Sequence, residues 1–171
     1  APFTSCYRLT AIDFRGCKDL IEVSLWGISI TSIDMSSCPK IEKMYVFDCD
    51  KLKNVNLTGC KELTYVGLSE SGISSIDLSG LSKLIDMSFS NCKNLESVNL
   101  SGCSALTEIG NAAFSRCEVV ELNLTGCSAL TRIGENAFED CVALEKVNLT
   151  RCSALTKICF DYFSTCSNAV I

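Results

Sequence analysis

The sequence predicts a single solenoid (horseshoe) of about seven coils, with a parallel β-sheet on its concave side and short 3₁₀, irregular or extended segments on its convex side. Three observations predict it: thirteen cysteines at near-regular spacing, an apolar pattern that recurs in phase with them, and an apolar–polar alternation inside that pattern.

The cysteines set the phase. From Cys38 they fall at 49 and 60, from Cys92 at 103, and later at 117, 127, 141, 152 and 166, in steps of 10, 11 or 14 residues. A unit L-x-x-V-x-L-x-x-C reads through 9–17, 30–38, 41–49, 52–60, 84–92, 95–103, 119–127 and 144–152. Three further units carry Ile28, Ser71 or Leu81 at the cysteine position. A longer variant, L-x-x-I-(x)4-F-x-x-C, reads through 106–117, 130–141 and 155–166, each time after a short unit. Full repeats therefore begin at Leu9, Ile30, Leu52, Ile73, Leu95, Val119 and Leu144, with lengths of 21, 22, 21, 22, 24 and 25 residues between starts.

Each position then has a physical task. The last two apolar residues of L-x-x-V-x-L bracket a polar one, as a strand with one buried face requires, so Val98, Leu100, Val147 and Leu149 are expected inside and Asn99 and Asn148 outside. Stacked coils pair these strands in parallel and bury apolar columns that no single repeat could bury alone. Gly16, Gly59, Gly80, Gly102 and Gly126 read as corners that need positive φ. Phe114, Phe138 and Phe163 fill the wider convex side, in a 3₁₀ or helical turn. The cysteines read as a column of small buried apolar residues, reduced, because Ile28 and Leu81 substitute for them and no C-x-x-C pair suggests zinc. Cys159 lies off the ladder and reads as the reactive thiol.

Repeats of this length with L-x-x-V-x-L followed by x-x-C-x-x-L resemble leucine-rich repeats over essentially the whole chain. The stretch Ile133-Gly134-Glu135-Asn136-Ala137-Phe138-Glu139-Asp140-Cys141-Val142-Ala143-Leu144-Glu145-Lys146-Val147 resembles the I-G-x-x-A-F-x-x-C-x-x-L-x-x-V signature of BspA-like repeats, and Ile109-Gly110-Asn111-Ala112-Ala113-Phe114 repeats its first half. The first four repeats lack the A-F half, and Cys159 replaces the glycine in the last. The resemblance implies a bacterial secreted or cell-surface protein that adheres or recognises host proteins. A cysteine-containing cytosolic adaptor of the F-box kind shares C-x-x-L, but its helix segment I-T-D-x-G-L is missing here.

Composition bounds the chemistry. No histidine occurs, which excludes Ser-His-Asp and Cys-His catalysis and imidazole metal sites, so no catalytic, cofactor-binding or metal residue is expected. A net charge of −5 argues against nucleic acid, and no run approaches the ~20 apolar residues of a membrane span. The partner expected is a protein, a host or cell-surface molecule or its glycan. Two surfaces are candidates. The concave one carries Asp34, Asn56, Asp77, Asn99, Asn123 and Asn148 with the charged Arg15, Glu121, Lys146 and Arg151; the convex one carries the aromatics Trp26, Tyr45, Phe47 and Tyr65. N-x-[ST] at Asn56, Asn99, Asn123 and Asn148 is read as a by-product of the repeat rather than as glycosylation sites. Residues 1–171 are expected to form one domain of a longer protein, because Phe3 and Cys6 match the end of a long unit and 169–171 the start of an eighth strand. A spacer that holds another domain off a surface is the alternative function.

Overall fold

The alternation folds into twelve short strands within residues 6–156, the part of the chain that the computed structural model describes. Successive strands alternate between two faces. One face carries β2 (Ser32–Asp34), β4 (Asn54–Asn56), β6 (Ser75–Asp77), β8 (Ser97–Asn99), β10 (Glu121–Asn123) and β12 (Lys146–Asn148). The other carries β1 (Glu22–Trp26), β3 (Lys43–Phe47), β5 (Tyr65–Gly67), β7 (Asp86–Ser88), β9 (Glu108–Ile109) and β11 (Arg132–Ile133). All pairing is parallel and in phase with the repeat: Val98 lies beside Leu122 and Leu122 beside Val147 on the first face, and Met44 beside Val66 and Val66 beside Met87 on the second. Two strands to a turn, these make six turns; the first unit, 9–17, packs Leu9, Ile12 and Phe14 on the core without a strand.

The first face is the expected concave sheet, with Val98, Leu100 and Val147 buried, although Leu149 is only half-buried next to residues beyond those described. The second face is more regular than expected. Its first units alternate as cleanly as the concave ones, Val23 and Leu25 in β1 and Met44 and Val46 in β3 pointing inward, and so they pair as five-residue strands. Of the options open for this side, extended structure prevails; Phe114 and Phe138 sit in turns after the two-residue strands β9 and β11, not in 3₁₀ or helical segments, and Phe163 lies outside the described residues. Phe89 joins them from a short unit, because Phe89-Ser90-Asn91-Cys92 keeps the F-x-x-C spacing. The three rings stack at 5.5 and 5.6 Å, nearly parallel.

The cysteines form one column at each corner. Cys38, Cys49, Cys60, Cys92, Cys103, Cys117, Cys127 and Cys141 are buried and free, Cys152 is half-buried, and Cys6 and Cys17 are exposed, while Cys159 and Cys166 lie outside the described residues. Burial of most ladder thiols was expected; their hydrogen bonding was not. Cys49 donates to Phe47 in its own unit at 3.4 Å, whereas five buried thiols donate at 3.0–3.3 Å to a carbonyl of the preceding coil: Cys60 to Met35, Cys103 to Leu78, Cys127 to Leu100, Cys92 to Leu68 and Cys117 to Phe89. That carbonyl already accepts the N–H that closes its own turn, as Leu100 does from Cys103 at 3.1 Å. The position therefore selects a small side chain that fills the corner and spends a weak donor on a second lone pair.

Two glycines answer to different constraints, Gly72 to space and Gly102 to backbone conformation. A Cβ on Gly72 would lie 2.1 Å from the Asp50 carbonyl oxygen, so the chain passes the previous coil there at backbone contact. At Gly102 φ is +75°, and the Gly80 backbone lies 3.6 Å from the site of a Cβ.

The first face parts between β4 and β6, which do not pair. Two lateral donors are missing at this coil. Asn56 passes an Nδ2–H to Asp34 at 3.0 Å and Asn123 passes one to Asn99 at 3.2 Å, but Asp77 has no such hydrogen for Asn56. Leu81 likewise stands where a cysteine would donate to the coil before. Elsewhere the amide after the strand bonds the next coil, Leu78 to the Asn99 carbonyl at 2.9 Å and Leu100 to that of Asn123 at 2.8 Å. Leu57 has no such bond to Asp77, and a cleft lined by Asn56, Thr58, Lys61, Asp77 and Ser79 opens instead. In native-state hydrogen exchange the Leu57 amide should exchange at least about tenfold faster than that of Leu100, and the pair Asp77→Asn with Leu81→Cys should slow it. Equal protection of Leu57 and Leu100 in the unmodified protein would show that no seam exists.

Candidate binding surfaces

On the first face the polar column is tied into the fold. Each Asp or Asn accepts, through Oδ1, the N–H two residues on: Ser36 to Asp34, Thr58 to Asn56, Ser79 to Asp77, Ser101 to Asn99, Thr125 to Asn123 and Thr150 to Asn148, all at 3.0–3.1 Å. These are Asx turns, which is why a short amide or carboxylate recurs one residue after the inward Val, Ile or Leu of each strand. The Ser36 hydroxyl and N–H, with the Asn56 amide, hold the Asp34 carboxyl below its ordinary value.

The charged members of this face also meet partners. Glu121 and Lys146, in register on β10 and β12, form an ion pair at 2.7 Å. Arg15 grips Asp13 at 2.6 Å in the strandless first unit, 9–17, and its guanidinium holds the Asp13 carboxyl down at about 2. Arg151 is not on the sheet. It occupies the corner that is Gly102 and Gly126 in the sister coils, with φ +64°, and its side chain leaves from the turn after β12.

On the second face the outward residues of β1, β3 and β5 bring the four expected aromatics together. Parallel register sets Trp26 beside Phe47 and Tyr45 beside Gly67. Ring centroids lie 5.8 Å apart for Trp26 and Phe47, 6.4 Å for Tyr45 and Phe47, and 4.8 Å for Tyr45 and Tyr65. Gly67 makes this possible: a Cβ there would fall 2.8 Å from the Tyr65 hydroxyl and 2.9 Å from Phe47 Cζ, so the two rings lean over bare backbone. Trp26 remains 54% exposed and Phe47, Tyr45 and Tyr65 half-exposed, so the cluster packs on itself and still faces solvent. Burial, then the nearby Asp86 carboxylate and Tyr45, push the Tyr65 hydroxyl up.

Sequence reading missed Tyr7, which makes no ring contact with the four but borders the end of β1: its Cε1 lies 3.2 Å from the Cβ position of Gly27 and it is 64% exposed. It follows Cys6 in a turn, off the strand pattern, and so carries no periodic signal. Farther along this face the side chains shrink to Ser69, Ser88 and Ser90, whose hydroxyls bond one another at 2.8 and 3.2 Å, and the face ends on the Arg132–Glu108 ion pair at 2.6 Å.

The family model described as BspA type leucine rich repeat region matches residues 1–83 and 68–170, in six copies. No curated protein matches the chain. Among solved structures, the leucine-rich repeat domain of the type III effector XopL aligns at 13% identity and a TM-score of 0.40, over 80% of this chain and 70% of that one. A leucine rich cell surface protein from Faecalibacterium prausnitzii A2-165 aligns at 22% identity and a TM-score of 0.41, over 78% of this chain and 34% of that one. The functional domain of InlJ from Listeria monocytogenes, which includes a cysteine ladder, aligns at 17% identity and a TM-score of 0.38, over 81% and 41%. The chain thus spans less than half the length of the last two. With the family model matched along nearly its whole length, the chain belongs to the BspA-type leucine-rich repeat family.

Proposed function

We propose that this chain is a non-enzymatic protein-binding or adhesion module of a secreted or cell-surface protein, and that the aromatic cluster of the second face anchors its partner. The carrying observation is that Trp26, Phe47, Tyr45 and Tyr65 meet ring to ring on a sheet face while Trp26 stays 54% exposed. Aromatic side chains concentrate interface energy because they bury a large rigid area at little cost in conformational entropy. The first face offers less: its amide and carboxylate oxygens already accept turn N–H groups, and Glu121 and Lys146 neutralise each other.

The sister coils supply a mild test, since Ser69 and Ser90 occupy the position of Trp26 and Phe47. Trp26→Ser with Phe47→Ser, folded by circular dichroism, is expected to weaken capture of the partner by at least ~1 kcal/mol, about fivefold. Unchanged affinity rejects the second face. Loss on charge reversal at Glu121 and Lys146 assigns binding to the first.

A further inference from the structure

The aromatic cluster is bordered chiefly by carboxylates. Asp48 follows Phe47 directly, and its Oδ2 lies 3.6 Å from the Cβ position of Gly27, at the end of β1 where Trp26 stands. Glu70 follows Ser69 one coil on. Asp48, Glu70 and Asp50 line one cleft of about 360 Å³ with Asn91 and Lys93. Lys51 pairs with Asp50 at 3.0 Å, whereas among the described residues neither Asp48 nor Glu70 is in an ion pair. On the opposite side Asp86 lies in register with Tyr65. Lys43 is flanked in register by Glu22 and Tyr65. The rings are thus edged mainly by carboxylates, two of them outside any ion pair among the described residues although Lys93 lines their cleft, in a chain of net charge −5.

Exposed rings beside unpaired carboxylates complement one chemistry. An aromatic face attracts a cation through its quadrupole, most strongly on tryptophan, and a carboxylate at the ring's edge receives the same charge. We infer that the second face binds a cationic segment of a partner protein, its Arg or Lys side chains laid on Trp26, Phe47, Tyr45 and Tyr65 with their charges met by Asp48 and Glu70. This rests on the reading that the aromatic cluster is the binding surface, and it adds what the surface selects. The apolar stems of Arg and Lys cover ring area while the heads reach the carboxylates. A neutral sugar could stack on the same rings but would leave Asp48 and Glu70 unanswered.

Trp26 is the only tryptophan, so its emission reports on the cluster alone. The 171-residue protein is titrated with hexa-arginine amide at low salt, with cellohexaose as the neutral contrast. A saturable change in Trp26 emission is expected with hexa-arginine, weakened at least about fivefold by Asp48→Asn with Glu70→Gln, and as much by Tyr45→Ser with Phe47→Ser, which leave the charge unaltered. Raising the salt should weaken it too, and the distant Glu118→Gln should not. The variants are checked for native circular dichroism, and Asn tolerates the φ of +55° at position 48. No saturable response, an equal response to cellohexaose, or no effect of either double substitution overturns the inference. If hexa-arginine fails while Trp26→Ser with Phe47→Ser still weakens partner capture, cation selection falls and the binding surface stands; if both fail, both fall.

Discussion

Under reducing conditions the protein is expected to hold a near-constant stability between about pH 6 and about pH 8 and to lose it steeply from there to about pH 12. In the unfolded chain the thiols ionise near their ordinary value of 9.0, whereas in the fold burial, with a smaller push from other ladder cysteines, raises Cys60 to about 11 and Cys103 and Cys127 to about 12. Cys38, Cys49, Cys92, Cys117 and Cys152 move in the same direction, in every case chiefly by burial. Below about pH 8 both states keep their protons and stability does not depend on these groups. Above it the unfolded chain sheds protons that the folded chain retains, so each pH unit favours unfolding until the folded values are reached. The limiting slope is about 1.4 kcal/mol per thiol per pH unit, smaller wherever water reaches the thiolate. Several thiols act together, so the urea midpoint followed by far-ultraviolet circular dichroism should fall sharply between pH 9 and pH 11. Cys103→Val should be less stable at pH 7, for want of the bond to Leu78, yet show a shallower alkaline slope. A midpoint independent of pH to about 10.5 would mean that the ladder is not buried as described.

What the sequence discloses here follows from what repeats. The in-phase Leu, Val and Cys positions disclosed the coil, the parallel register and the burial of the ladder, because a fixed period admits only one stacking. The same regularity concealed function on the first face, where Asn56, Asn99 and Asn148 look alike as ligand groups or as Asx turns until the N–H of Thr58, Ser101 and Thr150 is seen to point at them. The aromatic cluster was legible because it broke the period. What the sequence could not disclose were contacts made by an absence of atoms: the bare backbone of Gly67 under two rings, the passage of Gly72 against Asp50, and the unbonded seam at Asp77 and Leu81. The donor role of the cysteines was hidden as well, since Ile28 and Leu81 at equivalent positions report the volume of the site and say nothing of its hydrogen.

Phe114→Ala is expected to be more damaging than Phe89→Ala, at about 3–5 kcal/mol in urea unfolding. The ring is fully buried and lies between two others, 5.5 Å from Phe89 and 5.6 Å from Phe138, with interplanar angles of 11° and 1°. Parallel rings at that separation are offset, the arrangement that the ring quadrupole favours, so the middle ring makes two favourable contacts and its removal forfeits both. Around it the core cannot collapse: the Cys141 thiol donates to the Phe114 carbonyl at 2.8 Å from the following coil, and its N–H bonds the Ala137 carbonyl at 2.9 Å, so the backbone is held while the side chain is lost. Phe89→Ala opens a similar volume but gives up one ring contact instead of two. It should therefore cost less than Phe114→Ala by about 0.5–1.5 kcal/mol. In a solenoid each coil rests only on its neighbours, so a cavity in a central coil weakens both flanks at once, and Phe114→Ala should also broaden the unfolding transition by uncoupling them. Equal losses for the two substitutions, with a transition as sharp as that of the unmodified protein, would show that the column contributes buried area alone and that stacking adds nothing to it.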